Sequence, residues 1–303
     1  MRQIVLKIDV DTYRGTLEGV PQLVDMLRRH EAGATFLFSL GPDHTGRAIR
    51  RVFRRGFLGK VQRTSVLEHY GLRTLMYGVL LPGPDIGVAA RAQIRAVRDA
   101  GFEVGIHCWD HVRWQDHVVN ADVAWTEAEL EKARSRFVEI FGVEPQVHGA
   151  AGWQMNDAAL QWQPAHGIRY ASDCRGREPF VPVIKGAESA CTQLPTTLPT
   201  LDELLGRDGI TQDTIADHVL AMTETAPPSG HVFTLHAELE GMKLAPVLER
   251  LLKGWRAQGY DLVDLSALHA RLDTATLPRC PVLLGEVDGR SGQLMVQGEA
   301  IRP

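Results

Sequence analysis

Long hydrophobic runs, clustered cysteines and a strong net charge are all absent from this sequence of 303 residues. No uncharged apolar stretch reaches the roughly 18 residues that a membrane-spanning helix needs. The first residues also lack the apolar run and small-residue cleavage site of a secretory signal. The four cysteines lie far apart without a Cys-x-x-Cys pair, a pattern typical of a reduced compartment. We therefore expect a cytoplasmic protein, free or peripherally attached to a membrane.

The charged residues are nearly balanced in number but unevenly placed. The chain has 33 Lys and Arg against 37 Asp and Glu, and its isoelectric point near 6.3 disfavours a typical nucleic-acid binder. Yet the segment from Arg47 to Arg63 holds seven of the basic residues and no acidic one. One short segment is therefore strongly cationic, and the rest of the chain is acidic.

The composition, 44% hydrophobic and 23% charged, is that of a globular protein. Short apolar runs alternate with amphipathic stretches, which predicts βαβ units around a largely parallel sheet or barrel. The predicted strands are Gln3–Val10, Ala34–Phe38, Phe102–His107, Pro145–Gly149, Tyr170–Ser172, His231–Leu235 and Tyr260–Asp264. The predicted helices are Gly19–His30, Ile86–Ala100, Thr126–Phe141, Asn156–Ala165, Thr214–Thr225 and Ala245–Gln258.

Two segments depart from this alternation of strands and helices. The stretch Leu40–Asp85, which contains the basic segment, is far longer than the usual connection between a strand and a helix. After Pro278, Val282–Val287 and Gln293–Gln297 flank a glycine-containing turn and predict a hairpin. We predict a barrel over residues 1–275 with a basic insertion at 41–85, and a β extension over residues 276–303 that packs on the barrel.

Carboxylates and histidines follow three of the predicted strands, at the ends where α/β barrels gather their active sites. Asp9 and Asp11 are two residues apart, so their side chains point to the same side if the first strand continues. His107 and His111 have a spacing that suits a divalent metal such as Zn²⁺. His236 follows a later apolar run. Each motif alone also fits a structural role, as solvated carboxylates, loop histidines or a satisfied core histidine.

Together the three motifs offer one carboxylate and two imidazoles as metal ligands, with one carboxylate and one imidazole to spare. This set matches metal-assisted hydrolysis of an amide, in which the metal polarises the carbonyl and activates water. The spare carboxylate removes the proton of the water, and the spare imidazole protonates the departing amine. An amine is a poor leaving group, so a separate acid is required, and His236 supplies it.

These residues resemble motifs of the polysaccharide deacetylases of the NodB-homology type. The resemblance implies an α/β fold, a distorted (β/α) barrel, and hydrolysis of N-acyl groups from sugars with a divalent metal. It implies that Asp11, His107 and His111 bind the metal, that Asp9 is the general base and that His236 is the general acid. The identity of the metal stays open among Zn²⁺, Co²⁺, Mn²⁺ and Ni²⁺.

Longer strings resemble one branch of that family, the deformylases of 4-deoxy-4-formamido-L-arabinose carried on undecaprenyl phosphate. The strings are Lys7–Gly15, Glu103–His111, Ala150–Trp153, Ser172–Gly176, Gln193–Thr200 and His236–Gly241. This resemblance implies release of formate from the lipid-linked sugar, which yields the amino sugar carrier for lipid A modification and polymyxin resistance. The alternatives are a deacetylase of a soluble N-acyl sugar and a non-catalytic protein that binds lipid phosphate.

Candidate substrate residues lie close to these motifs. Tyr13 and Arg14 follow the aspartate pair, and Arg14 is a candidate partner for the phosphodiester, with a capped loop as the alternative. Trp153 is a candidate for stacking on the sugar ring or for plain packing. Glu238 either contacts substrate or supports His236.

The resemblance has one gap, in its third motif. Many relatives carry an arginine there that orients the catalytic carboxylate, whereas this chain reads Ala150-Ala151-Gly152-Trp153. Arg175 is a candidate for that role from the next strand end, with a surface ion pair to Asp173 as the alternative. We count both residues among the candidate substrate residues. The small residues of the motif also suit a pocket for formyl rather than acetyl.

Apolar residues recur at helical spacing inside the basic segment and, with the flanking arginines, predict an amphipathic helix that lies among lipid headgroups. Each basic residue near an anionic leaflet contributes about 1 kcal/mol. The residues predicted to face the membrane or a lipid phosphate are Arg50, Arg51, Arg54 and Arg55. We thus expect the cytoplasmic side of the inner membrane as the location. A solvated helix face and nucleic-acid binding are the alternatives, but no nucleic-acid-binding motif accompanies the segment.

Overall fold

A computed structural model of the chain describes residues 2–48 and 73–301. Most of the basic segment lies outside these residues, and with it the predicted membrane helix and Arg50, Arg51, Arg54 and Arg55. The strands are β1 (Gln3–Val10), β2 (Thr35–Ser39), β3 (Glu103–Cys108), β4 (Val147–His148), β5 (Tyr170–Ala171), β6 (Val181–Ile184), β7 (Ala187–Glu188), β8 (Thr192–Gln193), β9 (His231–His236), β10 (Asp261–Val263), β11 (Arg279–Cys280), β12 (Val282–Glu286) and β13 (Gln293–Gln297). The α-helices span Val20–Arg29, Ile86–Ala89, Arg91–Asp99, His111–His117, Val123–Phe141, Asp157–Ala165, Leu201–Leu204, Ile215–Met222, Ala245–Ala257 and Leu265–His269.

β1 is the centre of a parallel sheet of eight strands. One edge of β1 pairs with β9, while the other pairs with β10 along its first residues and with β2 along its last. The sheet continues through β3, β4, β5 and β8, and its far end curls back to β9. There the backbone N–H of Thr197 donates to the carbonyl of Val232 at 3.0 Å, and the Val232 N–H donates to the Thr197 hydroxyl at 2.9 Å. The curled sheet with its surrounding helices confirms the predicted α/β fold, a distorted (β/α) barrel.

Alternation along β1 separates an apolar outer face from a partly polar inner face. Even-numbered side chains such as Leu6 and Ile8 pack in the main core between the sheet and the helices. On the odd-numbered side Val5 packs inside the barrel, and Lys7 and Asp9 follow it along the strand, all of them buried. Because the pairings in this sheet are parallel, the carboxyl ends of the strands meet at one rim. The inner face of β1 therefore delivers its polar side chains to that rim.

The observed strands agree with the seven predicted ones. β1 has its predicted bounds, and the other six differ from theirs by one or two residues at an end. Sequence patterns missed four further strands, β6, β7, β8 and β11, none of which exceeds four residues. Runs this short carry no periodic signal that separates a strand from a loop.

Two predicted helices need correction. The predicted helix Gly19–His30 begins earlier, with a π-helical turn at Gly15–Gly19 that leads into Val20–Arg29. A β-carbon at Gly19 would lie 2.0 Å from the carbonyl oxygen of Ala237, so glycine permits the close approach of this turn to the end of β9. The predicted helix Ile86–Ala100 is broken at Ala90, whose φ of −115° is not helical.

The carboxyl-terminal hairpin has the predicted form. β12 and β13 pair antiparallel from Val282 with Gln297 to Glu286 with Gln293. The backbone of Arg175 connects the hairpin to the barrel, because its N–H donates to Met295 at 2.9 Å and its carbonyl accepts from Gln297 at 2.8 Å. The division of the chain near residue 275 stays a prediction.

All four cysteines are free and buried. Among the helices of residues 2–48 and 73–301, none is long and apolar enough to cross a membrane.

Candidate active site

The ends of β1 and β3 bring one carboxylate and two imidazoles together. Asp11 follows β1, His107 lies at the end of β3, and His111 begins the helix His111–His117. One carboxylate oxygen of Asp11 is 3.2 Å from Nε2 of His107, and the other is 3.3 Å from Nε2 of His111. The Asp110 side chain caps the helix by accepting from the Arg113 N–H at 3.1 Å, which fixes the position of His111. The ligand atoms of Asp11, His107 and His111 all lie within 4.8 Å of one another.

The protonation pattern of this triad suits a divalent cation. Nδ1 of His107 lies 2.6 Å from the carbonyl oxygen of Gly149, so we assign the ring proton to Nδ1 and a free lone pair to Nε2. Burial lowers the pKa of His111 to about 4, which keeps its imidazole neutral near pH 7. Burial alone would raise the pKa of Asp11, but His111 and His107 outweigh it and hold the pKa well below its ordinary value. Oδ1 of Asp11 is buried without a hydrogen-bond partner among the described residues. An anionic carboxylate and two neutral imidazoles are the donors that Zn²⁺ and its neighbours accept.

Asp9 lies beside the triad, and the side chain of Lys7 holds it from the interior of the barrel. Its Oδ2 accepts a hydrogen bond from Nζ of Lys7 at 2.7 Å, and both side chains are buried. Its Oδ1 has no hydrogen-bond partner among the described residues and lies 3.8 Å from Nδ1 of His107. One oxygen of Asp9 is thus available as a proton acceptor at the site.

His236 ends β9 and completes the group, because β9 pairs with β1 so that Asp9 and His236 are register partners. Burial alone would lower the pKa of His236, but the charges of Asp202, Asp11 and Glu240 outweigh it and raise the pKa above its ordinary value. A histidine that holds its proton more tightly is suited to act as a general acid.

Glu238 and Glu240 support the site from within the protein. Oε1 of Glu238 accepts from the Asp11 N–H at 3.1 Å and from the Thr12 N–H and hydroxyl at 2.8 Å each, so it ties the end of β1 to the segment after β9. Burial and the nearby charge of Asp11 raise the pKa of Glu238 to about 8. Glu240 accepts from the His236 N–H at 2.7 Å. We predicted that Glu238 contacts substrate or supports His236. Its contacts instead indicate that it holds the loop that carries Asp11.

The assignments of Asp173 and Arg175 also need correction. Asp173 is fully buried and accepts from the Ala150 N–H at 2.9 Å, and its Oδ1 is 2.7 Å from Nδ1 of His148. Arg175 donates to a carboxylate oxygen of Glu203 and to the carbonyl of Leu198, so it pairs with neither Asp9 nor Asp173. Both residues hold the segments that shape the rim.

Tyr13 and Arg14 do not line the cleft that contains the triad. Tyr13 packs against the main core, and Arg14 forms an ion pair with Glu18 at 3.0 Å. Both residues precede the π-helical turn Gly15–Gly19, and their contact with substrate stays a prediction. Trp153 does line the cleft, and its contact with a sugar stays a prediction.

Three residues of the site were not predicted from the sequence. Asp202 and Arg290 line the cleft, and Nη1 of Arg290 is 3.2 Å from Oδ2 of Asp202. Arg290 belongs to the turn of the carboxyl-terminal hairpin, so its sequence position gives no hint of the barrel rim. Lys7 had a visible signal, because a lysine interrupts the apolar run from Ile4 to Ile8 in a buried strand. A buried lysine requires a charged partner, and Asp9 is that partner.

The cleft itself has a volume of about 260 Å³ and contains Asp9, Asp11, His107, His111 and His236. A larger groove, about 540 Å³, lies between the helices Val20–Arg29 and Arg91–Asp99. The residues that line it include no histidine or cysteine, so we place the chemistry in the smaller cleft.

Comparison with known proteins agrees with this arrangement. The family described as polysaccharide deacetylase matches residues 2–171, more than half of the chain. The chain belongs to the polysaccharide deacetylase family. The resemblance predicted from the motifs is thereby confirmed. A relative from Shewanella sediminis, a probable 4-deoxy-4-formamido-L-arabinose-phosphoundecaprenol deformylase, is 37% identical over 99% of this chain and 96% of its own length. A protein of the same description from Wigglesworthia glossinidia brevipalpis is 28% identical over 95% of this chain and its whole length.

Solved structures share the fold of this deacetylase-family chain. A polysaccharide deacetylase from Mycobacterium smegmatis superposes with a TM-score of 0.61 at 16% identity, covering 94% of this chain and 96% of its own. A family 4 carbohydrate esterase pseudoenzyme from Bacillus anthracis gives a TM-score of 0.52 at 14% identity, over 90% of this chain and 66% of its own. At these identities the likeness concerns the fold.

Removing one side chain of the triad should abolish tight metal binding. Asp11→Asn and His111→Ala should each weaken binding of Zn²⁺ or Co²⁺ by at least about 100-fold, because loss of a ligand costs more than the 10 to 100-fold lost with an outer-shell partner. Isothermal titration of the metal-free protein measures this. His117→Ala is the matched control, since His117 is exposed on the same helix as His111. Wild-type affinity in the Asp11→Asn and His111→Ala variants would contradict the assignment of the triad.

Proposed function

We propose that this chain is a metal-dependent deformylase that hydrolyses the N-formyl group of 4-deoxy-4-formamido-L-arabinose linked to undecaprenyl phosphate. The products are formate and the amino sugar carrier used for lipid A modification and polymyxin resistance. The observation that carries the proposal is the meeting of the triad Asp11, His107 and His111 with Asp9 and His236 in one cleft. The similarity along nearly the whole chain to probable deformylases supports the substrate.

Asp11, His107 and His111 would hold a divalent ion, which when bound would supply Lewis-acid chemistry to the amide carbonyl and to water. Asp9 accepts the proton of the attacking water on its Oδ1, since Oδ2 is engaged by Lys7. The water oxygen forms the new bond to the formyl carbon, and the bond from that carbon to nitrogen breaks. His236 gives its proton to the departing nitrogen, so the amine leaves neutral.

The donor set accepts Zn²⁺, Co²⁺, Mn²⁺ or Ni²⁺, and selection among them depends on geometry and availability. Activity is therefore to be measured with each ion added to metal-free protein.

For the partner surface we propose the cytoplasmic side of the inner membrane, with peripheral attachment through the basic segment. Thr45, Ala48 and Leu75, which flank the segment outside the described residues, line the cleft. We propose that the basic segment, which runs in sequence from Arg47 to Arg63, contacts the lipid phosphate of a substrate whose sugar enters the cleft. Nucleic acid is not among the proposed partners.

The deciding experiment is release of formate from the lipid-linked formamido sugar. The wild-type protein loaded with metal should release formate and produce a free amine, while His236→Gln should retain bound metal and lose most turnover because the leaving nitrogen lacks its proton donor. Formate is measured by coupled oxidation and the amino sugar by mass spectrometry.

Two results would contradict the proposal in different ways. Turnover of a soluble N-acetyl sugar, but not of the lipid-linked formamido sugar, would favour the general deacetylase. Binding of the lipid without hydrolysis of either compound would favour a non-catalytic lipid-phosphate protein.

The dependence of kcat/KM on pH should reveal the influence of Asp202 on His236. The acid must be protonated, so activity falls as pH rises through the pKa of His236. Asp202→Asn removes a charge that raises this pKa, and the alkaline limb should move to lower pH. Asp217→Asn, an exposed carboxylate paired with Arg250, is the control and should leave the limb in place. An alkaline limb at the same pH in Asp202→Asn and the wild type would show that Asp202 does not raise the pKa of His236.

Sedimentation with vesicles tests the membrane contact. Replacing Arg50, Arg51, Arg54 and Arg55 by Gln should weaken binding to anionic vesicles by about 1 kcal/mol for each charge removed. The matched control replaces the same four residues by Lys, which keeps the charge and should preserve most of the binding. Equal binding of the Gln variant and the wild type would contradict the proposed surface.

A further inference from the structure

We infer that Lys7 is the positioning residue of the catalytic base, in the place where the third motif of this chain has no arginine. The inference deepens the proposed function and rests on it, because it concerns how Asp9 is oriented for proton transfer. Lys7 does not line the cleft and has no exposed surface, so it acts through Asp9 and does not touch substrate.

The first step of the argument is the direct contact. Nζ of Lys7 donates to Oδ2 of Asp9 at 2.7 Å, a short charge-assisted hydrogen bond between buried groups. Lys7 and Asp9 are two residues apart on β1, so their side chains leave the same face of a strand that is paired on both edges. A rigid strand therefore sets the spacing of the two groups. With Oδ2 fixed, the remaining oxygen Oδ1 points to the side of His107, where it has no partner among the described residues.

The second step is the space that the fold leaves for the lysine. Gly149 follows β4, and a β-carbon there would lie 3.0 Å from Cε of Lys7 and 2.3 Å from Cδ1 of Leu37. Any larger residue at Gly149 would press on the aliphatic part of the lysine. The same residue accepts the Nδ1 proton of His107 through its carbonyl, so one backbone position accommodates Lys7 and orients a metal ligand.

The third step is the indole ring of Trp153, which lies next to the ammonium group of Lys7. Nζ of Lys7 is 5.3 Å from the ring centroid of Trp153, a cation–π contact in a buried place. Trp153 has a φ of +53° and follows Gly152 at +59°, a left-handed pair that directs the indole inward. Its Nε1 donates to the hydroxyl of Thr196 at 3.2 Å, which fixes the plane of the ring. The residues Ala150-Ala-Gly-Trp153 thus contribute a ring that confines Lys7.

The other cations near Trp153 have different carboxylates. Arg175 and Arg290 lie 5.1 and 4.9 Å from the same ring, but they pair with Glu203 and Asp202. Among the described residues Lys7 is the cation that contacts Asp9.

The test compares Lys7→Met with the wild type for kcat, KM, metal content and thermal unfolding. Methionine keeps the unbranched apolar part of the lysine side chain and removes the ammonium group. We expect kcat to fall by about 10 to 100-fold, the range for loss of a residue that orients a site ligand, with KM and metal content unchanged. A double-mutant cycle then separates positioning from general damage. In an Asp9→Asn background, Lys7→Met should cause no further loss of kcat, because Lys7 acts only through Asp9.

A second variant covers the case in which Lys7→Met unfolds because Asp9 is left as an unpaired buried charge. Lys7→Ala removes three carbons and the ammonium group, and n-propylammonium has the same atoms. Added n-propylammonium should restore formate release in Lys7→Ala in a saturable manner, while n-propanol at the same concentration should not. The double variant Lys7→Ala, Asp9→Asn should show no response to the amine.

The inference is overturned if Lys7→Met retains wild-type kcat, if it lowers kcat by the same factor in the Asp9→Asn background, or if folded, metal-loaded Lys7→Ala does not respond to the amine. Failure of the proposed function is separate, because it shows as absence of formate release in the wild type. If the wild type instead hydrolyses an N-acetyl sugar, the same variants are measured on that substrate, since the base is required in either reaction.

Discussion

Two carboxylates buried next to each other at the end of β1 impose the main constraint on this structure. A buried charge is costly unless it is paired, and Asp9 and Asp11 are both buried. The fold separates their partners. Lys7 pairs with Asp9 inside the barrel, while His107 at the end of β3 and His111 on the following helix face Asp11. Both carboxylates can therefore be accommodated in one cleft, where we propose that one binds the metal and the other is the base.

The same principle extends around the rim through Trp153. The ring has three cations around it, of which Lys7 pairs with Asp9 while the other two pair with carboxylates on the opposite side of the rim. Glu203 accepts from both Arg175 and Arg290, and Arg290 also reaches Asp202 near His236. A single indole thus separates the counter-charge of the base from the counter-charges on the side of the acid. This division explains why Arg175, the natural candidate for the missing arginine, is not available to Asp9.

The predictable part of the site follows from regular structure. β1, β3 and β9 contain apolar runs that predict strands. The carboxyl ends of parallel strands in a barrel lie at one rim, so the residues at these ends could be predicted to lie together. Lys7 was visible as an anomaly in β1, yet only the inward direction of the strand identifies its partner. Asp202 and Arg290 depend on short strands and a hairpin turn whose packing has no local pattern. Glu238 was misplaced because an acidic residue beside a catalytic histidine has the same appearance in sequence whether it faces solvent or the backbone of the next loop.

The position of Arg290 in the chain has a consequence for folding during synthesis. Residues leave the ribosome in order, so the strands that carry the base, the metal ligands and the acid can assemble while the turn Asp288–Gly292 is still being synthesised. The side chain of Asp202 then lacks its arginine, and the barrel rim carries excess negative charge.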